Sequence, residues 1–188
     1  ATTLEGAKKN EVIVGSTGPG SITYLLPTLL NAMYGTKFKM VGGYKSMGQM
    51  NLAIDSGELQ GRGGSLFSWT GTKAKDVEAG KFIHMVQVNL KKDPAIPNVP
   101  LLLDLARNDK EKDILEFMSS SGIVGRSMFA PPGVPADRIA ILRKAFDQMI
   151  ADKDFLADAK KRQHLIDPVS GAEVEAAVKK TVSMPEDE

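Results

Sequence analysis

The chain has 188 residues, enough for one ordinary domain or two small ones. Hydrophobic residues make up 42% of it and charged residues 25%, which is typical of globular proteins, and the formal net charge is only +1. This balance gives no field for nucleic acid or an anionic membrane surface, so we expect neither as a partner. The sequence contains no cysteine, which excludes disulfides and zinc–thiolate sites. We find no apolar run of about 18 residues that could span a membrane.

The first predicted unit, Glu11–Gly35, is a strand, a glycine turn and a helix. Val12–Val14 is a short apolar run of the kind that buried strands show, and the turn residues Gly18–Ser21 follow it. Apolar residues then recur at helical spacing: Tyr24, Leu25, Leu29, Leu30 and Met33.

The ends of this helix are also marked in the sequence. Ser21 is the predicted N-cap, and Gly35 stands where a C′ residue belongs. Pro27 either kinks the helix or begins it, with Ser21–Leu26 forming a tight turn. Unpaired N–H groups in the first helical turn, together with the macrodipole, would make an anion site at the end of the strand. An ordinary βα unit whose glycines only form the turn is the alternative.

Two further βα units follow. Lys37–Val41 is a strand candidate that runs into the turn Gly42–Lys45, and a helix should begin at Ser46, which forms a capping box with Gln49. Met47, Met50 and Ile54 share one face of this helix, which Gly57 ends. The third unit consists of a very short strand, a glycine turn and a helix, at Glu58–Gly61, Arg62–Ser65 and about Phe67–Ala79.

The alternation of strands and helices predicts parallel βαβ units, and Phe82–Val88 is the clearest candidate for a further buried strand. Ligands of open parallel sheets bind outside the carboxyl ends of the strands. We therefore expect the three turns, Thr17–Ser21, Gly42–Lys45 and Arg62–Ser65, to lie side by side at one edge.

Beyond Leu90 the chain becomes mostly helical. Lys91–Pro100 reads as an extended connection, and Ser127–Ala130 as a strand that enters a proline-rich turn. Helices are predicted at Leu101–Ala106, Lys110–Ser120, Ala136–Ile150, Asp154–Arg162 and from Ser170, where Glu173 completes a capping box. The helix at Ala136–Ile150 should bury Ile139, Leu142, Phe146 and Met149. The tail Pro185–Glu188 is expected to be frayed.

No catalytic constellation and no metal site emerges from the sequence. His84 and His164 are far apart and have no metal-binding spacing, and His84 fits a packed core position better. The sequence lacks nucleophile-elbow, P-loop and dinucleotide-binding patterns. Trp69 is predicted to be a core residue rather than a ligand platform. We therefore expect no catalysis and no cofactor.

An ordered set of short motifs resembles the substrate receptors of tripartite tricarboxylate transporters. The motifs are Val14–Ser21, Gly42–Lys45 before a capped helix, and Gly57 before a short strand. Further along, Asn98–Asp104 is similar to the family's "dVPTLxE" segment, and Met128–Pro135 resembles its "LFAPAGTP" strand and turn. The family often has glycine and threonine where this chain has Ser46, Leu101 and Val134.

The resemblance implies an α/β periplasmic-binding-protein-like fold of class II, with residues 11–125 as ligand-binding lobe two and its crossover segments. Residues 126–188 would be the C-terminal strand and helices of an incomplete lobe one. It implies a periplasmic solute-binding protein that captures a small organic carboxylate for membrane transporter subunits. The implied ligand-binding residues are Thr17, Gly18, Gly20, Ser21, Gly43, Tyr44, Lys45, Gly64 and Ser65.

Two expectations depend on how much of such a receptor the chain contains. The first half of lobe one has no counterpart in the sequence, so we expect weak or undetectable carboxylate binding. We also expect either self-association through exposed C-terminal helices or a repositioned C-terminal region. The alternative function is a βα-fold enzyme that uses the same anion-binding edge for a phosphorylated substrate.

Overall fold

A computed structural model describes residues 1–125, 127–162, 164 and 166–183, with only the backbone of Ser121. The chain divides into two compact units, Ala1–Met85 and Val86–Glu188. The predicted division near residue 125 falls inside the second of these units, and the assignment of segments to lobes stays a prediction. The tail Pro185–Glu188 lies outside the described residues.

The first unit is built on a parallel three-stranded sheet. Strand β1 (Val12–Gly15) is central, between β2 (Phe38–Val41) and β3 (Gly61–Arg62). Val12 pairs with Phe38 along one side of β1, and Gly15 pairs with Arg62 on the other. The sequence prediction of three parallel strands in these places is confirmed, although β3 begins and ends later than predicted.

Alternation of side chains along β1 gives the sheet two packed faces. Val12 and Val14 pack with Ala7 of α1 (Leu4–Lys9), a short helix that the sequence analysis missed. On the opposite face, Ile13 packs against the cluster formed by Met50 and Ala53 of α3 (Met47–Asp55) with Leu59. The central strand is therefore covered on both sides, as parallel sheets require.

Helix α2 (Ile22–Tyr34) carries the first predicted turn at its start. It ends at Gly35, whose φ of 68° is the left-handed cap predicted from the sequence. Pro27 lies buried within the helix, which decides between the two predicted arrangements: the helix begins before the proline. Asn31 near the end of α2 exchanges hydrogen bonds with the backbone of Phe38, which fixes the helix to the start of β2.

The rest of the first unit departs from prediction in two places. The helix expected at Phe67–Ala79 is two short helices, α4 (Leu66–Thr70) and α5 (Ala74–Glu78). The strand expected at Phe82–Val88 does not form, and Gln87 alone makes a bridge, with Leu101. A two-residue edge strand such as β3 has little ladder to offer a neighbour, and the ring of Phe82 packs on Trp69 instead, with centroids 4.9 Å apart.

The second unit is helical. A 3-10 helix (Leu102–Leu105) and α9 (Gly171–Val182) both pack against α6 (Asp109–Val124), and α7 (Ala136–Ala151) packs against α8 (Lys153–Lys161). The predicted capping box at the start of α9 is present: the Ser170 hydroxyl accepts from the Glu173 N–H, and the Glu173 carboxylate accepts from the Ser170 N–H. No helix of the described residues is both long and apolar enough to cross a membrane.

Two predictions for the second unit are wrong. Ser127–Ala130 is irregular rather than a strand, and the side chains of Met128 and Phe129 are 80% and 72% exposed. On α7, Leu142 and Met149 are exposed rather than buried, and Ile139 and Phe146 are only half-buried. The periodicity of α7 is helical, but no described element covers much of its apolar face.

Candidate functional site

The three predicted turns follow the carboxyl ends of neighbouring parallel strands. The order β2-β1-β3 places the turn after β1 between the other two. The Ser16 N–H donates to Val41 O at the end of β2 (2.8 Å), and a Cβ on Gly63 would lie 3.5 Å from Thr23 Cα. The structure thus brings the three turns to one edge of the sheet, as the sequence predicts.

Three hydroxyl side chains, those of Ser16, Ser21 and Thr23, hold the first turn in shape. Thr23 is 1% exposed, and its Oγ1 accepts from the Thr17 N–H (3.1 Å) and lies 2.6 Å from Ser21 Oγ. Ser21 Oγ in turn donates to Gly18 O (2.8 Å), and the fully buried Ser16 accepts from the Gly18 N–H (3.1 Å). Gly18 has a φ of 139°, which L side chains rarely adopt, so the turn requires glycine there.

Ser21 is the N-cap residue of α2, as predicted, but its hydroxyl makes no cap hydrogen bond, because it donates to Gly18 O in the turn. The first turn of α2 consequently keeps unpaired donors. Among the described residues, the N–H groups of Gly20, Ile22 and Thr23 have no acceptor. They converge at the positive end of the helix macrodipole, and such an arrangement suits an anion.

The second turn is tied to the first unit by Tyr44. Its side chain packs on the Met50, Ala53 and Leu59 cluster, and its hydroxyl donates to the Glu58 carboxylate. That hydrogen bond raises the pKa of Tyr44. The predicted ligand role of Tyr44 thus competes with a structural contact that its hydroxyl already makes.

Gly43 and Lys45 complete the second turn. Gly43 is exposed, with a φ of 99°. Half of the capping box predicted for Ser46 is present, since the Ser46 hydroxyl accepts from the Gln49 N–H (3.3 Å). The Gln49 side chain accepts from the Lys45 N–H (2.7 Å) instead of from the Ser46 N–H that a capping box requires. The Lys45 ammonium is exposed and makes no ion pair with a described residue.

The third turn is held by Arg62, which is 8% exposed. Its guanidinium donates to Asn51 Oδ1 (2.8 Å), Gly63 O (3.1 Å) and Ser68 Oγ (3.2 Å). It also lies 3.9 Å above the ring of Trp69, which is buried as predicted. Gly64 is exposed but closely approached, since a Cβ there would lie 2.4 Å from Arg62 Nη1. Ser65 is the N-cap of α4 and accepts from the Ser68 N–H.

Arg62 has no acidic partner among the described residues, since all of its acceptors are neutral. Burial lowers its pKa to about 10, which leaves it charged at neutral pH. The edge of the sheet therefore combines a helix N-terminus with a fixed and uncompensated positive charge.

Sequence reasoning missed Ser16, Thr23 and Arg62. The two hydroxyl residues flank the predicted turn, and the spacing of Ser16, Ser21 and Thr23 around two glycines was a signal that could have found them. Arg62 was assigned only to a glycine turn, because an arginine is normally solvated. No group of three or more His, Asp or Glu residues in the described part of the chain could hold a metal ion.

The comparisons with known proteins rest on structure. The sequence matches no protein-family model and no curated protein. The structure matches that of a TctC solute binding protein from Polaromonas with a TM-score of 0.62 at 15% sequence identity, over 95% of this chain. This chain has the fold of a TctC solute-binding protein. The predicted α/β periplasmic-binding-protein-like fold is therefore confirmed.

The match also defines how much of the TctC fold is present. The chain spans 57% of the length of the TctC structure that it matches. Nothing in the comparison tests the predicted ligand-binding residues, so their roles are taken up as proposals.

Proposed function

We propose that this chain is part of an extracytoplasmic solute receptor, periplasmic in location, that captures a small organic carboxylate for the membrane subunits of a tripartite tricarboxylate-type transporter. The main support for the proposal is that the chain has the TctC fold and that its three strand-end turns lie together at the edge where the parallel strands end. Solute binding needs complementary groups and no reacting side chains, and this edge offers donors and positive charge.

Within that edge, the N–H groups of Gly20, Ile22 and Thr23 would hold one carboxylate group of the solute. They have no acceptor among the described residues, and the helix macrodipole favours negative charge at this point. This modifies the predicted role of Ser21. Both its N–H and its hydroxyl already donate to Gly18 O, so Ser21 shapes the turn rather than donating to the solute.

The remaining predicted ligand residues have secondary roles in this proposal. Thr17 and Gly18 shape the first turn, while Gly43 and Tyr44 form the wall of the second turn beside it. Lys45 supplies an exposed positive charge at the same edge. Gly64 allows the third turn to pack closely against Arg62, and Ser65 is the N-cap of α4.

A thermal-shift panel with turnover assays tests this function against the enzyme alternative. We expect millimolar succinate, citrate or another member of a di- and tricarboxylate panel to raise the melting temperature, because a ligand that binds only the folded state stabilises it. No product should form. A panel of sugar phosphates and phosphate monoesters is the control. A shift with a phosphorylated compound that is then converted would contradict the receptor proposal.

A further inference from the structure

A buried cation without a counter-ion is the least expected feature of the first unit. The guanidinium of Arg62 is enclosed by Asn51, Ser68 and the ring of Trp69. Every acceptor that it reaches is a neutral oxygen or the Met47 sulfur. Proteins normally pair a buried charge, because desolvation without a partner is costly.

The position of Arg62 connects this charge to the proposed solute site. Arg62 is the last residue of β3 and pairs with Gly15, the last residue of β1. The next residue, Gly63, packs against Thr23 in the first turn of α2. The backbone of Arg62 therefore adjoins the edge where the unpaired N–H groups of α2 converge, and the positive charge of Arg62 adds to the field of the helix.

We propose that Arg62 is the specificity-determining charge of this site: it selects anionic solutes, and a bound carboxylate is the counter-ion that the fold omits. The inference rests on the proposed function. Arg62 acts through its field and through the third turn, because its own donors are already committed to Asn51, Gly63 and Ser68. It follows that selection should strengthen with each additional negative charge on the solute.

Asn51→Asp tests the proposal without disturbing Arg62. The substitution is nearly isosteric and places a carboxylate at the atom that Arg62 Nε already contacts, 2.8 Å away. The new ion pair should raise the urea midpoint of unfolding, since it compensates a buried charge. It should also weaken succinate binding by about tenfold, since the positive charge of Arg62 is then compensated within the protein. If Arg62 has only a structural role, Asn51→Asp should raise the urea midpoint of unfolding and leave succinate binding unchanged.

The measurement is a titration of backbone amide signals in the full chain with propionate, succinate and tricarballylate, which carry one, two and three carboxylates. In Asn51→Asp the loss of affinity should grow along this series. Lys39→Gln is the matched control, because it removes one positive charge from an exposed residue of β2 that pairs with Glu11. It should shift all three affinities by less than about twofold, as expected for a screened surface charge.

Arg62→Gln and Arg62→Lys form a second pair of variants should Asn51→Asp fail to fold. The glutamine variant should lose the dependence of affinity on solute charge, and the lysine variant should keep it. If Asn51→Asp and Arg62→Gln both bind the series as Lys39→Gln does, the inference about Arg62 is wrong while the receptor function stands. If the wild-type chain binds none of the three compounds, the proposed function fails, and the inference fails with it.

Discussion

Gly64 is the residue on which the packing of Arg62 depends most directly. A Cβ at this position would lie 2.4 Å from Arg62 Nη1 and 2.8 Å from Ser68 Oγ, and the guanidinium cannot retreat because it lies on Trp69. Gly64→Ala should therefore lower the free energy of unfolding by about 1–3 kcal/mol, as overpacking does. Urea denaturation measures the change.

Gly42→Ala is the matched control for this substitution. Gly42 lies in the neighbouring turn, and a Cβ there would meet nothing within 4 Å. We expect its free energy of unfolding to stay within about 0.5 kcal/mol of the wild type. Equal losses for the two variants would mean that close approach to Arg62 is not what requires glycine at position 64.

His84 is the residue that should couple stability to pH near neutrality. It is half-buried, its Nε2 is buried with no hydrogen-bond partner in the described part of the chain, and burial lowers its pKa from the ordinary value of 6.5. The folded state thus disfavours the protonated ring. The contribution of His84 to the free energy of unfolding should therefore be fully present above pH 6.5. It should be lost as the pH falls from 6.5 toward the pKa of His84 in the folded state.

The test is the free energy of unfolding of wild type and His84→Phe, measured by urea denaturation between pH 5 and pH 8. Phenylalanine keeps an aromatic ring beside Trp69, which His84 meets edge-on at 6.5 Å. The variant should lose the decline below pH 6.5. The carboxylates with lowered pKa values, such as Asp76, Glu111 and Glu173, titrate at lower pH and serve as the common background. A parallel decline in both proteins would contradict this assignment.

At the scale of elements, the start of α2 depends on the hydroxyl of Thr23. Its Oγ1 accepts from the Thr17 N–H, so Thr23→Val would leave a partly buried donor without a partner. We expect a loss of about 1–3 kcal/mol in unfolding free energy, and weaker succinate binding because the turn that orients the N–H groups relaxes. Urea denaturation and amide titration measure the two effects.

The same helix offers the control for that substitution. Thr28 is exposed, and its hydroxyl donates to Tyr24 O within the helix. Thr28→Val should change neither stability by more than about 0.5 kcal/mol nor succinate binding. If Thr23→Val behaves like Thr28→Val, the hydroxyl cluster does not support the site.

Elements with local signals were predictable, and those that depend on distant partners were not. Gly35 and the Ser170–Glu173 capping box mark helix ends by their own chemistry, and both are present. Phe82–Val88 has the composition of a strand, but a strand also needs a neighbour with free backbone groups, and the sequence does not reveal that β3 has only two residues.

The candidate site likewise has parts that the sequence predicts and parts that it does not. The convergence of three turns followed from the alternation of strands and helices, because parallel strands end at one edge. The burial of Arg62 could not be predicted, since it depends on Trp69 and Asn51, which come from two different helices. Ser21 is the predicted N-cap residue, but the sequence did not show that Gly18 O would take its hydroxyl away from the helix N–H groups.

At the scale of the whole molecule, apolar residues of the second unit remain exposed. Ile141 and Leu142 of α7 are 61% and 60% exposed, and Phe129 is 72% exposed. We expect the chain to self-associate with rising concentration, because exposed apolar surface drives association. Sedimentation velocity should show oligomers that Leu142→Glu reduces. Leu52→Glu, at an exposed position in the first unit, is the control and should leave the distribution unchanged.

Because the chain spans only part of the matched TctC structure, its affinity for carboxylates should also be affected. If the absent 43% of the matched structure supplies contacts to the solute, this chain offers only part of the hydrogen bonds of a whole receptor. Each charge-assisted bond contributes roughly 1.5–3 kcal/mol, so losing two weakens binding by about a hundredfold or more. Calorimetry should therefore detect carboxylate binding, but only weak binding. Sub-micromolar binding by a monodisperse monomer would contradict this expectation.

The most direct test of the central claim is to map where a carboxylate binds. Assigned backbone amide signals of the full chain would be followed during titration with succinate, with sodium chloride at equal ionic strength as the control. We predict that the signals of Gly20, Ile22 and Thr23 move together and saturate with one affinity, because these N–H groups are the unpaired donors of the edge. Saturable shifts confined to other residues, or no shifts beyond those that sodium chloride causes, would contradict the assignment of a carboxylate site to this edge.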